Sequence, residues 1–503
     1  MVAGEAVADL QTSRRERERG DGRQDELLAK LTVAQLLRKG SAAYVRQFAG
    51  SGACPQVQST LAKLSLCRTR ALGGKQYQCD GCGDESEVYH SCGDRNCPQC
   101  SGRKRYDFAA RAEQLILDKV TYYQVVFTLP SNLSELALAN REPIADLLFA
   151  SAWKSLRKTI RGQQDYDPAS MMVLHTWNQR LDSHWHVHAL VPGAGPSLSS
   201  DDWKEAEAPP ETANSDGYYL VKAEALRESF RKFAIAHLKR LYKKGELKLS
   251  GKFAPLQDPQ VFKEFCDKLE SVDWVSFIQP PPTKSSSAEQ VVRYLTRYLT
   301  GGPISDSRIT AADSKQVTFL AREGVRTGGE REQVPVTLQT TEFIRRWCLH
   351  IQPEQLTKTR YFGGWSNNKR TKYLDRCRRS LEAIGVTHHR ESEDGSIGER
   401  CEEESTIPCS KCDHPSLRLI GEIPKPSWDK LLNHLHDDCP DWYAESDYKE
   451  LCEYLDREYG IGYEDWYAEC AVESAMKRPP VPPAEQLYFA GMCPNTDFML
   501  ESF

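Results

Sequence analysis

No stretch of this chain approaches the ~18 consecutive apolar residues that a membrane-spanning helix needs, and the mean hydropathy is −0.59. The N-terminus is charged and has no apolar h-region, so nothing marks it for export; residues 1–25 are polar, poor in aromatics and expected to be disordered. Without an export signal the 17 cysteines are better read as cytosolic metal ligands than as a disulfide framework. H-E-x-x-H is absent, which argues against a hydrolytic metalloenzyme of that type. A basic excess is missing too: the net charge is −5. That total conceals an asymmetry, because residues 401–503 hold 8 Lys and Arg against 22 Asp and Glu, a net of −14, while the first 400 hold 58 against 49, a net of +9. A mildly basic body attracts polyanions and an acidic tail does not.

What is present begins with cysteine spacing. Cys79-x-x-Cys82 and Cys97-x-x-Cys100 are two knuckles with Gly- and Asp-rich loops, and four thiolates so arranged close a tetrahedral Zn²⁺ shell. Cys67, His90 and Cys92, with Cys54, are left over; they are candidates for a second zinc site or are buried thiols. A lone Cys409-x-x-Cys412 lies far downstream, with Cys401 and His414 as candidate partners. Arg103, Lys104 and Arg105 follow the last upstream knuckle, and basic residues beside a zinc module commonly meet phosphates.

The middle of the chain carries strand patterns at Tyr122–Pro130, Met171–Trp177, His184–Val191 and Trp274–Ile278, with further strands expected at 316–321 and 333–338. Helices are expected between 26 and 48, over 135–161, 220–244 and 341–350. The polar residues 178–183 read as the turn of an antiparallel hairpin. Period-2 alternation puts His184, His186 and His188 on one face of their strand, leaving Trp185, Val187 and Leu190 to the other. From His184 to His188 is roughly 13 Å in an extended strand, too far for all three to hold one ion, so His186 and His188 are the expected pair. A third ligand is needed, with Gln179, His175 and His184 as candidates. Tyr294 and Tyr298 are four residues apart on a helix stopped by Gly301-Gly302-Pro303, hence on one face, and Arg293 and Arg297 flank them as candidate phosphate clamps.

These pieces, in this order, resemble the two-tyrosine HUH transposases of rolling-circle insertion sequences, the family named after insertion sequence ninety-one. Supporting stretches are Ser91-Cys-Gly-Asp-Arg-Asn-Cys-Pro-Gln-Cys100, Val125-Val-Phe-Thr-Leu-Pro130, Leu174-His-Thr-Trp-Asn178 and Tyr361-Phe-Gly-Gly-Trp365, and the likeness covers about residues 40–385. It implies an α+β fold: a central antiparallel sheet flanked by helices, preceded by the zinc module and followed by an acidic helical appendage. Expected divisions are 1–25, 26–115 (helix and zinc module), 116–310 (strand-transferase core), 311–385 and 386–503 (linker, CxxC and tail). It also implies Mg²⁺ or Mn²⁺ on the histidine pair, Tyr294 and Tyr298 as nucleophiles, a 5′-phosphotyrosine intermediate and structural Zn²⁺. The implied partners are single-stranded DNA at the ends of a mobile element and target DNA, met in the bacterial cytoplasm at the nucleoid. A replication initiator or relaxase using the same chemistry, and a non-catalytic zinc-containing DNA-binding regulator, are the alternatives.

Overall fold

The computed structural model describes residues 32–48, 55–100, 108–200, 202–209, 219–279, 302–323, 332–353, 355–386, 408–432 and 436–444. Helices α1 (Val33–Phe48) and α2 (Pro55–Ser65) come first, then an antiparallel hairpin of β1 (Gly74–Cys79) and β2 (Glu85–Tyr89). The core follows as β3 (Tyr122–Thr128), α3 (Ser131–Ala139), α4 (Arg141–Gln163), β4 (Ala169–Trp177) and β5 (Ser183–Pro192). After a short ribbon of β6 (Ala194–Pro196) and β7 (Trp203–Glu205) come α5 (Ala223–Lys243), α6 (Pro259–Ser271) and β8 (Val275–Gln279). Then come β9 (Ile309–Ala312), β10 (Gln316–Glu323), β11 (Glu332–Gln339), α7 (Thr340–Cys348), β12 (Thr359–Gly363), α8 (Arg370–Ala383) and β13 (Leu417–Ile423), followed by two single-turn helices, Trp428–Leu431 and Asp441–Ala444.

Five antiparallel strands in the order β12-β4-β5-β3-β8 form the central sheet. Every residue of β3 and β4 is buried, the pattern of strands covered on both faces. On one face Trp185, Val187, Ala189 and Val191 of β5 join Phe127 and the apolar stripes of α4 and α5 in the largest core. The other face carries the histidines, and below them Met171, Val173 and Leu190 pack with Trp365, Leu374 and Leu381. Leu190 therefore shares the histidine face, as its even-numbered register with His188 requires, and not the face of Trp185.

Two departures from the sequence expectations have local causes. The helix expected over 135–161 is two helices broken at Asn140, whose side-chain amide bonds the backbone of Lys248 from both ends: Nδ2 donates to its carbonyl at 3.1 Å and Oδ1 accepts its N–H at 2.7 Å. Helix α6 was not expected, although its start carries a plain signal. Asp258 accepts from the N–H groups of Gln260 and Val261, and Pro259 occupies the first turn, both favoured there.

A second core joins α1, α2 and the cysteine-bearing loops to the three-stranded sheet β11-β10-β9 and to α7. Strand β12 closes the central sheet against β4, pairing Tyr361 with Met171. Its last residue, Gly363, has φ +60, and a Cβ there would lie 2.2 Å from the Pro168 carbonyl oxygen, so only glycine fits this turn. Among the described residues no helix is long and apolar enough to cross a membrane. Most of the tail expected to be helical, 445–503, lies outside the described residues.

Candidate active site and metal centres

The hairpin of β4 and β5 sets His175 directly opposite His186, and Val173 opposite His188. Paired residues in a sheet share a face, so three imidazoles converge: the candidate ligand atoms of His175, His186 and His188 all lie within 4.8 Å of one another. Ring centroids are 5.4 Å apart for His175–His186, 4.6 Å for His175–His188 and 4.9 Å for His186–His188. Of the three candidates for third ligand, it is His175 that the fold brings to the pair. His184 lies one step further along the strand, its ring 5.1 Å from that of His186 and outside the converging group. Gln179 sits in the β4–β5 turn, where its carbonyl accepts from Arg308.

The surroundings prepare these rings for coordination. His186 donates from Nδ1 to the His184 carbonyl at 3.0 Å, which leaves Nε2 as the coordinating atom. His188 Nδ1 is 2.8 Å from the side-chain amide of Gln124 on β3. The one sequence signal for Gln124 is a single amide in the otherwise aromatic and apolar run Tyr122-Tyr-Gln-Val-Val-Phe127. Burial lowers His186 to about 4 and His188 well below the usual imidazole value, with His175 adding to the latter. Burial and then His186 lower His184 to about 3. His184, His186 and His188 are thereby neutral at physiological pH, the form that binds metals. Beyond the triad, His175 stacks on Trp177 at 4.5 Å, and Trp177 meets the edge of His350 at 5.8 Å. An all-nitrogen donor set suits Mn²⁺ and later divalent ions better than Mg²⁺, which prefers oxygen.

The cysteines assemble differently from the expected Cys79, Cys82, Cys97 and Cys100 set. Cys97 and Cys100 lie with Cys67 and Cys92, whereas Cys79 and Cys82 lie with Cys409 and Cys412. The β1–β2 hairpin is the reason. Cys79 ends β1 at the hairpin tip, while Cys67 and Cys92 flank its base, where His90 N–H donates to the Gly73 carbonyl and Arg68 N–H to the His90 carbonyl. Five residues of strand separate tip from base by about 16 Å, too far for one ion to serve both knuckles. His90 takes part through its backbone, its residue is exposed, and it belongs to neither group. His414 likewise is no ligand; its Nδ1 accepts from Ser416 N–H at 3.2 Å.

In the first group sulfur–sulfur distances are 3.7 Å for Cys67–Cys100, 3.6 Å for Cys92–Cys100 and 3.7 Å for Cys67–Cys97. Four thiolates at about 2.3 Å from a central Zn²⁺ stand about 3.8 Å apart, whereas a disulfide would need about 2.05 Å. All four cysteines are buried, and the Cys92 N–H donates to Cys67 Sγ at 3.4 Å. This group fits structural zinc. The expected nucleophiles Tyr294 and Tyr298, their neighbours Arg293 and Arg297, and the basic run Arg103, Lys104 and Arg105 lie outside the described residues, as do Cys54 and Cys401.

Comparison with known proteins supports a zinc-binding domain on the N-terminal side. Residues 36–129 match the family model "Transposase zinc-binding domain" and residues 170–372 the model "Putative transposase". The chain is 32% identical over 351 residues, 69% of its length and 83% of the relative's, to "Putative transposase y4qJ" of Sinorhizobium fredii. It is 26% identical over 336 residues, 64% of its own length and 73% of the relative's, to "Transposase for insertion sequence element IS801" of Pseudomonas savastanoi pv. phaseolicola. No solved structure matches it. The chain thus belongs to the transposase family named after insertion sequence ninety-one, enzymes acting on DNA, and carries that family's zinc-binding domain on its N-terminal side.

Proposed function

We infer that this transposase cuts and rejoins single DNA strands at the ends of its element through a tyrosine nucleophile. The observation that carries the reading is the convergence of His175, His186 and His188 on one face of a buried antiparallel sheet. A divalent cation held by these three residues supplies, when bound, Lewis-acid polarisation of the scissile phosphate. The protein's own groups do the rest. The Tyr294 or Tyr298 phenol, its proton passing to solvent, attacks phosphorus; a tyrosine–phosphate ester to the 5′ side forms, the P–O3′ bond breaks and a free 3′-OH leaves. That ester keeps the energy of the phosphodiester, so attack by another 3′-OH reseals DNA and restores the phenol. Two phenols four residues apart allow one to hold a strand while the other accepts the next.

The connectivity supports this assignment. Strand β8 is the sheet edge beside β3, and its last residue, Gln279, pairs with Gln124, whose amide touches His188. The chain therefore enters residues 280–301, which include both tyrosines, from beside the histidine cluster. After them, Arg308 donates to the Gln179 carbonyl in the β4–β5 turn, four residues past His175. The zinc-binding domain and the basic residues after it serve, in this reading, to orient DNA. The test is incubation with single-stranded element ends and Mn²⁺. Site-specific nicking is expected in the wild type, and at least a hundredfold less in His186→Ala with unchanged circular dichroism. Equal nicking by that variant would refute the assignment.

A further inference from the structure

Only half of the second cysteine group falls inside a matched family region: the matches end at 129 and 372, and Cys409 and Cys412 follow. Cys79 Sγ lies 3.6 Å from Cys412 Sγ, and Cys82 Sγ lies 3.8 Å from Cys409 Sγ, across 333 and 327 residues of chain. All four sulfurs lie within 4.8 Å of one another, again the edge lengths of a zinc tetrathiolate. Each pair is a turn of the knuckle kind. The Gly81 N–H donates to Cys79 Sγ at 3.3 Å, and the N–H of Gly83 reaches the Cys79 carbonyl as that of Asp413 reaches the Cys409 carbonyl, both at 2.9 Å.

The strands behind the knuckles are joined as closely. Strand β13 pairs antiparallel with β1 from Cys79↔Leu417 to Gly74↔Ile423, making a three-stranded sheet β13-β1-β2. Two cross-ties flank the cysteines: Lys411 Nζ to Asp84 at 2.9 Å and Ser416 Oγ donating to Asp80 at 2.6 Å. His414 covers Gly81 so closely that a Cβ there would lie 2.8 Å from its ring. At the other end of the segment Leu431 is fully buried in the core shared with α1 and α2.

We propose that Cys79, Cys82, Cys409 and Cys412 bind a second structural Zn²⁺, and that this ion clamps the C-terminal segment 408–432 onto the zinc-binding domain. The domain matched at 36–129 is then one part of a bipartite zinc ribbon whose second knuckle and third strand arrive from the far end of the chain. The clamp stands independently of the strand-transfer reading, since none of its ligands touches the histidines.

The test is zinc stoichiometry of the full chain, by elemental analysis, in a His186→Ala/His188→Ala background that removes the imidazole site. Two zinc ions per chain are expected. Cys409→Ser/Cys412→Ser should retain one, Cys79→Ser/Cys82→Ser should also retain one, and the fourfold combination should still retain one, because both pairs serve a single ion. One ion in the background chain, two in either paired variant, or none in the fourfold variant would overturn the proposal. Should the serine variants fold poorly, cobalt substitution of the background chain decides: charge-transfer absorbance for eight thiolates supports the clamp, and for four refutes it.

Discussion

At the scale of single residues, the histidine face joins two roles that usually conflict. Imidazoles taken out of water lose the ability to carry charge, and that same loss keeps their nitrogens open to a metal. One consequence is measurable without any metal. Because burial depresses His184 to about 3, His186 to about 4 and His188 well below its usual value, their neutral burial costs nothing above the unfolded value of about 6.5. Below it the unfolded chain takes up protons that the folded chain refuses, so stability falls as pH drops from about 6.5 towards about 4. The metal-free protein should lose thermal stability already between pH 6.5 and 5, above the range where ordinary carboxylates titrate, and His188→Asn should flatten that slope. A wild-type melting temperature constant across this interval would contradict the neutral state of His184, His186 and His188.

The sequence shows the pair His186 and His188 directly, since alternation along a strand is a local property. It offers three candidates to join that pair and goes no further, because singling out His175 as the one that converges with it needs the register of β4 against β5. The cysteines show the same boundary: spacing reveals knuckles, but which knuckle meets which depends on the length of the β1–β2 hairpin that separates them.

Among the elements, those with a strong period were legible and those defined by their neighbours were not. Strands β3, β4, β5 and β8 and helices α5 and α7 fall close to their expected spans. Strand β13 was invisible because it buries little: its exposure pattern is mostly open, with Leu419 and Ile420 on the surface, so no apolar alternation announces it. Strand β12 contains most of the stretch Tyr361–Trp365 that carries the family likeness, but its place depends on a neighbour: it closes the sheet edge beside β4 and turns sharply into the loop before α8. That turn makes a clean test. At Gly363 the left-handed φ and the contact with the Pro168 carbonyl each forbid a side chain. Gly363→Ala is expected to destabilise the fold by about 2–4 kcal/mol in urea unfolding, whereas Gly385→Ala, with φ +81 and open space around it, should cost about 1 kcal/mol. Equal effects would show that the close approach is not a constraint.

For the molecule as a whole, the chain closes on itself twice. The α1 and α2 helices share a core with β9–β11 and α7, and β13 returns to the hairpin near the start. Sequence divisions drawn along the chain cannot show such closures, since each joins residues hundreds of positions apart. The charge asymmetry was legible from composition alone: the basic body holds the histidine face, and the acidic excess lies past residue 400. Two further ties hold the central sheet in place: Gln279 of β8 pairs with Gln124 of β3, and Arg308 donates to the Gln179 carbonyl in the β4–β5 turn.

The most direct measurement is therefore covalent. Full-length protein incubated with single-stranded element ends and Mn²⁺, then denatured and digested, should yield a peptide bearing a 5′-linked nucleotide on Tyr294 or Tyr298, absent from the Tyr294→Phe/Tyr298→Phe double variant. Strand cleavage with no protein-linked DNA, or an adduct that persists in the double variant, would contradict the account.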